Sequence, residues 1–514
     1  MPRFLAGCLA LLLVACDSGI PPGLLYYFSG DPRSLDPALS TDVPTGESVV
    51  LLFDNLTQFD PDGRLVPGLA TRWWPSPDGA TWTFRLRGDA RFHDGRPVTA
   101  RAIEASFLRA LGMARVGGRI WPLLPIRGAR AVADSGAPTL AGLAVLDDST
   151  LAFTLEEPLN IFPKLLAMPV AAIVPTPTPE DFGEHPIGSG PWKFVRWSHD
   201  DILVFARNAE WWGEGPRADS LRIRIIPEAF TQAAEYESGR LSVVEIPFGE
   251  TARWQRERPD ELQRRAALRA VYVALNTTRG PLADVRVRQA INHAVNVPAI
   301  LDRVMQGRGI LAAGAIPPGL DGHDSTRTRY AFDPAKARAL LAEAGVATGL
   351  RLQLYRSPRA EFARIAQAIQ ADLADVGITL EIVERDPSTA RSAARKGEAD
   401  LFLSDWWADY PDGENFTFPL FHSANAGTGG NYAFLKDPAL DTLLVRARAT
   451  PDSLEKVALL ARIDREVHAR APWLFLWFPT DLWARRPEVS GWAFPALFAG
   501  QRWTSAALDT TMAR

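Results

Sequence analysis

The stretch Ser404-Asp405-Trp406-Trp407-Ala408-Asp409-Tyr410-Pro411-Asp412-Gly413-Glu414-Asn415-Phe416 says most about how this chain folds and what it holds. Just ahead of it, Ala399 to Leu403 is a short apolar run that predicts a buried strand. Pro411 and Asp412-Gly413 stop that strand in a turn. Trp406, Trp407 and the carboxylate of Asp409 then stand where a central strand leaves its sheet. Open α/β sheets bind ligands at such places. Aromatic walls beside one carboxylate suit a ligand with apolar parts and a cation. The same residues also fit a plainer role, with the tryptophans in the core and the acids in the turn.

The surrounding composition narrows the class. A chain of 514 residues is long enough for two or three domains with real cores. Its 47% hydrophobic and 23% charged residues are those of a soluble globular protein. A net charge of −4 gives no basic footprint for nucleic acid. Sixteen tryptophans suit either core or the walls of a large cavity. The two cysteines, Cys8 and Cys16, both lie at the extreme N-terminus, so the folded part has no disulfide and no thiolate metal ligand. Avoidance of stray thiols fits an oxidising compartment.

The N-terminus explains those cysteines. Arg3 opens a short basic region, and Phe4 to Ala15 is apolar but too short to remain as a membrane-spanning helix. Leu13-Val14-Ala15-Cys16 resembles a bacterial lipobox and is followed by the polar tether Asp17-Ser18-Gly19. Residues 1–15 are therefore expected to be a lipoprotein signal peptide and 16–23 a tether, with lipid on Cys16. Such lipid holds a protein at a membrane surface without threading it through. An ordinary signal peptide containing a cysteine is the other reading. Asp17 resembles a signal for inner-membrane retention in Gram-negative envelopes.

Periodicity indicates alternating strands and helices. Asp60-Pro61-Asp62-Gly63 reads as a tight turn between two strands; it lacks the further ligands of a calcium loop. Trp82, Phe84 and Leu86 alternate with Thr83, Arg85 and Arg87, as in a half-buried strand. Asp284 caps a helix whose buried stripe is Val287, Ala290, Ile291, Ala294 and Val295. Asp333-Pro334 starts another, closed by Gly345. Phe362, Ile365, Ile369, Leu373 and Val376 form a third stripe, ending at Gly377 before the strand of Ile378, Leu380 and Ile382. This order predicts an α/β lobe from about 270 to 475.

Catalytic signatures are weak. Asp134-Ser135-Gly136 has no second copy with which to share a proton, as an aspartic-protease pair must. Gly188-Ser189-Gly190 is not a nucleophile elbow, and the seven histidines show no ligand spacing. Gly307-Arg308-Gly309 lacks the strand context of a dinucleotide fingerprint. The chain is read as a binder, not an enzyme, with no cofactor and no metal.

A family resemblance runs nearly continuously from Gly30. Its motifs are Asp31-Pro32-Arg33-Ser34-Leu35-Asp36-Pro37, then Phe92-His93-Asp94-Gly95-Arg96-Pro97-Val98-Thr99-Ala100, Pro186-Ile187-Gly188-Ser189-Gly190-Pro191-Trp192 and the Trp-x-Ala-Asp-Tyr of residues 406–410. In these the chain resembles the oligopeptide- and dipeptide-binding proteins of ABC transporters, solute-binding protein family 5. Two departures stand out: Arg101-Ala102 replaces an acidic pair, and Asp412-Gly413 replaces Asp-Pro.

The resemblance implies an α/β, two-lobe periplasmic-binding-protein fold (class II, Venus-flytrap) with an extra inserted domain. Lobe I would comprise 24–62, 187–270 and 478–514, with 63–186 inserted in it, and lobe II 271–477. Hinges would lie near Ala270–Asn276 and Trp473–Pro479, and the lobes would close on ligand. By the same resemblance Asp409 takes a peptide's α-ammonium, Val43 pairs with its backbone, and Trp406, with its neighbour Trp407, lines the site. The implied function is capture of di- to oligopeptides and delivery to the permease subunits of an ABC transporter. The protein would act as a monomer in the periplasm, anchored at the inner membrane, or on the extracellular face in a Gram-positive host. Alternatives are an oligosaccharide or other non-peptide ligand on the same fold, and a surface protein with no transport role.

Overall fold

A computed structural model describes residues 23–346, 349–497 and 500–509. Cys16, the signal segment and the tether up to residue 22 lie outside the described residues. Among the described residues, no helix is long and apolar enough to cross a membrane.

Three main sheets organise the chain. The first has four strands in the order Leu24–Phe28, Ser220–Ile225, Ile202–Arg207 and Trp192–Ser198, with the first pair parallel and the others antiparallel. The second is wholly antiparallel and is built inside the segment 63–186, in the order Ala70–Pro75, Thr81–Leu86, Thr150–Thr154 and Leu143–Asp147. Alternation is visible in its burial: Trp82, Phe84 and Leu86 are buried while Arg85 is exposed.

The third sheet has eight strands and carries the stretch quoted above. Its path is Val243–Glu245, Trp473–Arg485, Arg269–Leu275, Leu401–Trp407, Leu350–Arg356 and Ile378–Glu384. Leu262–Ala266 and Gly309–Leu311 pair with the long strand Trp473–Arg485 off that path. This long strand changes partners along its length. Its first part pairs with Arg269–Leu275 and its last part with Leu262–Ala266, the change falling at Pro479. Proline has no N–H to give to a ladder and is tolerated in strands where pairing is interrupted. The facing segment between Leu262–Ala266 and Arg269–Leu275 bends at the same level, where the Ala267 N–H donates to the Pro479 carbonyl at 2.9 Å.

Helices start where the caps predict. Asp284 accepts from the Arg286 N–H ahead of Val285–Ala294, and Asp333 from the Lys336 N–H ahead of Pro334–Glu343. Thr99 caps Ala100–Gly112, so the missing acidic pair at Arg101-Ala102 does not prevent that helix from starting. Phe362, Ile365, Ile369 and Leu373 face the core from Ala360–Ala374, and Gly377 turns the chain at φ +85°. The strand Leu401–Trp407 runs four residues beyond the apolar run that announced it, so both tryptophans lie in it and not after it. Trp406 and Trp407 sit opposite Ala270 and Arg269.

Candidate functional site

A cavity of about 580 Å³ opens where the third sheet meets the first sheet and the segment 63–186. It is lined by residues remote in sequence: Tyr26 on the first sheet, Val43 and Glu47 on the helix Val43–Leu52, Arg119, Met168, Trp407 to Asp409, and Asp481 to Trp503. Five carboxylates line it (Asp42, Glu47, Glu245, Asp409 and Asp481) against a single arginine, Arg119. Its field therefore favours cations. A smaller chamber of about 230 Å³ adjoins it, sharing Gln232, Glu245 and Asp481 and adding Arg269, Arg308 and Arg359.

The loop after Trp407 is held rigidly. The Ala408 N–H donates to the Leu268 carbonyl at 2.9 Å. Asn415 accepts at Oδ1 from both the Asp409 N–H and the Trp406 Nε1–H, each at 3.1 Å. Gly413 is required at the turn, because a Cβ there would come within 2.2 Å of the Asp321 carbonyl oxygen.

The four acids of this loop differ in what they face. Asp412 is buried between two lysines, with Nζ of Lys164 and of Lys456 each at 2.6 Å. Burial works against its ionisation, and the two lysines override burial and bring its carboxyl down to about 2. It also caps the short helix that follows, by accepting from the Glu414 N–H. Glu414 is equally buried, 2.8 Å from Arg448 and hydrogen-bonded by the Tyr410 hydroxyl. Asp405 lies between Arg269 at 2.7 Å and Arg359 at 3.0 Å; burial opposes its charge, and the arginines still hold it below the usual range. Asp409 alone has no close counter-ion: the nearest cation is the half-exposed Arg119, 4.0 Å away. Burial raises its carboxyl, with Arg119 and Asn415 pulling the other way. A charged carboxylate there gains most from a cation that enters the cavity.

These partners correct the reading of Asp412 as a plain turn residue, and Glu414 is likewise drawn inside. Both are interior anchors of the loop.

Of the residues singled out by sequence, Asp409, Trp407 and Val43 come together at the cavity. Trp407 is half exposed, with the Arg269 guanidinium 4.7 Å from its ring centroid. Trp406 does not line the cavity; it turns to Asn415 and packs against the core. Val43 opens a helix capped by Asp42, not a strand. A first-turn N–H has no partner inside its own helix. Three features went unnoticed in the sequence. Arg119 and Glu47 sit in segments with no distinguishing motif. The aromatic wall of Tyr26, Trp483, Trp492, Phe494 and Trp503 had only one sequence signal, the crowding of tryptophans after residue 470.

Residues 64–428 match the family described as bacterial extracellular solute-binding proteins, family 5. The chain belongs to this family. The dipeptide-binding protein of Escherichia coli (strain K12) is similar to it at 31% identity over 502 residues, 92% of each chain. Heme-binding protein A of Haemophilus influenzae is 28% identical over 495 residues, 91% of this chain and 89% of the relative. Among solved structures, an ABC transporter-associated periplasmic binding protein from Helicobacter pylori, in complex with the peptide STSA, matches with a TM-score of 0.77 at 26% identity, covering 95% of this chain and 98% of that one. The α/β architecture of the family 5 chain is thus of the two-lobe periplasmic-binding type, as its motifs implied. Family 5 proteins bind solutes outside the cytoplasm.

Proposed function

We propose that this family 5 protein captures di- to oligopeptides between its lobes and delivers them to the permease of an ABC transporter. The observation that carries the reading is Asp409: it faces the cavity without a close counter-ion, while its three acidic neighbours are each paired within the protein. A peptide brings the missing cation as its α-ammonium. The relatives, a dipeptide-binding protein and a binding protein solved with a peptide, support the same ligand class. We take lobe I as 24–62, 187–270 and 478–514, the insertion as 63–186 and lobe II as 271–477; the first two sheets fall within lobe I and the insertion, while the eight-stranded sheet crosses from lobe II into lobe I through Val243–Glu245, Leu262–Ala266 and the end of Trp473–Arg485. We take the hinge to lie at the bend of Ala267 and Pro479, slightly upstream of Ala270 on one strand and within the expected segment on the other; the Ala267 N–H to Pro479 carbonyl contact supports this reading.

The protein is further proposed to be a monomeric lipoprotein, held by lipid on Cys16 at the outer face of the inner membrane. Cys16→Ala should then move it from the membrane to the soluble fraction. Wild type with no lipid mass on its N-terminal peptide would count against the anchor.

A sugar or another non-peptide solute would also stack on the aromatic wall, but would draw less from the charge of Asp409. Native mass spectrometry of the purified protein separates the classes. Co-purified masses matching short peptides support the reading; masses of a hexose series or a single non-peptide compound contradict it.

A further inference from the structure

Glu47 follows Val43 by one helical turn on Val43–Leu52, and both line the cavity. Its situation differs from that of every other carboxylate there. Asp42 caps the helix, Asp409 has the distant Arg119 at 4.0 Å, and Glu245 and Asp481 feel Arg308 and Arg269. Glu47 makes no hydrogen bond and no ion pair with any described residue, and burial alone raises its carboxyl, to about 8. The groups that feel its charge are the phenols of Tyr26 and Tyr27.

Tyr26 belongs to a closed set of rings on the same wall. Its centroid lies 4.8 Å from that of Trp503 and 6.4 Å from that of Trp483. Trp483 lies 5.0 Å from Phe494 and 5.8 Å from Trp492, and Trp492 lies 6.2 Å from Trp503. All five rings line the cavity. Elsewhere the protein covers aromatic faces with its own arginines: Arg87 stands 3.4 Å from the centre of Trp212, and Arg448 3.9 Å from that of Phe418. Among the described residues, no arginine or lysine stands over any of these five rings. A carboxyl group without a cation and an aromatic wall without a cation thus line the same cavity, whose Tyr26 end lies within reach of the Glu47 charge.

We propose that this end is a second cation subsite, formed by Glu47 and the rings of Tyr26, Trp483, Trp492, Phe494 and Trp503, which takes a lysine or arginine side chain of the bound ligand. The proposal rests on the peptide reading above, in which the α-ammonium occupies Asp409. A basic side chain suits both parts of the subsite. Its methylene stem packs on the rings, and its charged head meets the carboxylate and the ring faces. A neutral aromatic side chain fills the same space but leaves Glu47 buried without a partner.

The test is calorimetric titration of wild type and Glu47→Gln with the tripeptides Lys-Ala-Ala, Ala-Lys-Ala and Ala-Ala-Lys, each beside its norleucine counterpart. Norleucine keeps the stem and removes the charge. In wild type, lysine should bind about 10- to 100-fold tighter than norleucine at one position. Glu47→Gln should collapse that ratio to near one, and a far-ultraviolet circular dichroism spectrum and cooperative thermal melt like those of wild type show that the variant is folded. Equal binding of lysine and norleucine peptides to wild type at every position overturns the subsite alone. So does a ratio that survives Glu47→Gln. Failure of every peptide to bind wild type overturns the peptide reading and the subsite with it.

Discussion

Asp405, Asp409, Asp412 and Glu414 look alike in sequence, and what separates them is partners far along the chain. Lys164 and Lys456 reach Asp412 from 248 and 44 residues away, and Arg448 reaches Glu414 across the same interior. No local pattern announces such pairs, so the sequence pointed to Asp409 through its family position and misplaced Asp412 as a turn residue. The consequence is a reversed expectation. Asp412→Asn should destabilise the protein by about 3–5 kcal/mol, because two lysine ammoniums then face a neutral group in a buried site. Urea unfolding would show it; an unchanged midpoint would mean the network is not as drawn. The sign of its pH dependence follows from a carboxyl lowered to about 2. Its stabilising effect is complete above the unfolded value near 4 and fades as pH falls through about 2. The variant should therefore lose less stability than wild type on acidification. Glu47 behaves oppositely, since its raised carboxyl favours the fold at low pH and that contribution is lost as pH climbs through about 8. Glu47→Gln should gain on wild type between pH 5 and pH 9 in thermal melts, and a constant difference would contradict this.

Elements with clean periodicity were legible from the chain alone. The strand Thr81–Leu86 and the helix Ala360–Ala374 bury the residues that alternation and helical spacing select. The strand Leu401–Trp407 was read too short, since Ser404 and Asp405 interrupt its apolar run. Pairing with Arg269 and Ala270 carries it on, and the charge of Asp405 is matched by Arg269 on that neighbouring strand. Tertiary pairing decided what local hydrophobicity left undecided. Helix caps belong to the legible part. Asp333 accepts from the Lys336 N–H at 2.9 Å, and Asp333→Ala should lower stability by about 1 kcal/mol through loss of that cap. A change within experimental error would show that water caps the helix equally well.

At the scale of the molecule, two crossings of the chain were implied by family likeness and by nothing in composition. The long strand Trp473–Arg485 supplies a physical basis, for it belongs to different neighbours on either side of Pro479. Rotation at a bend of this kind disturbs few ladder bonds. Closure around ligand should reduce the radius of gyration measured by solution X-ray scattering when a saturating peptide is added. Superimposable profiles with and without peptide would argue against a closing binder. The position of Arg119 belongs to this scale too, because it comes from the segment 63–186 and meets Asp409 only in the assembled fold.

The central claim is that Asp409 receives a peptide's α-ammonium in a site from which water is largely withdrawn. Calorimetry of wild type and Asp409→Asn with a free tripeptide and its N-acetylated form tests it most directly. Asp409→Asn keeps the shape and removes the charge, so the free peptide should bind roughly 10²- to 10³-fold more weakly, the equivalent of about 3–4 kcal/mol. The acetylated peptide should bind wild type poorly and gain little or nothing from Asp409. Equal affinity of the free and acetylated peptides for wild type, or normal binding of the free peptide by Asp409→Asn, would contradict the account.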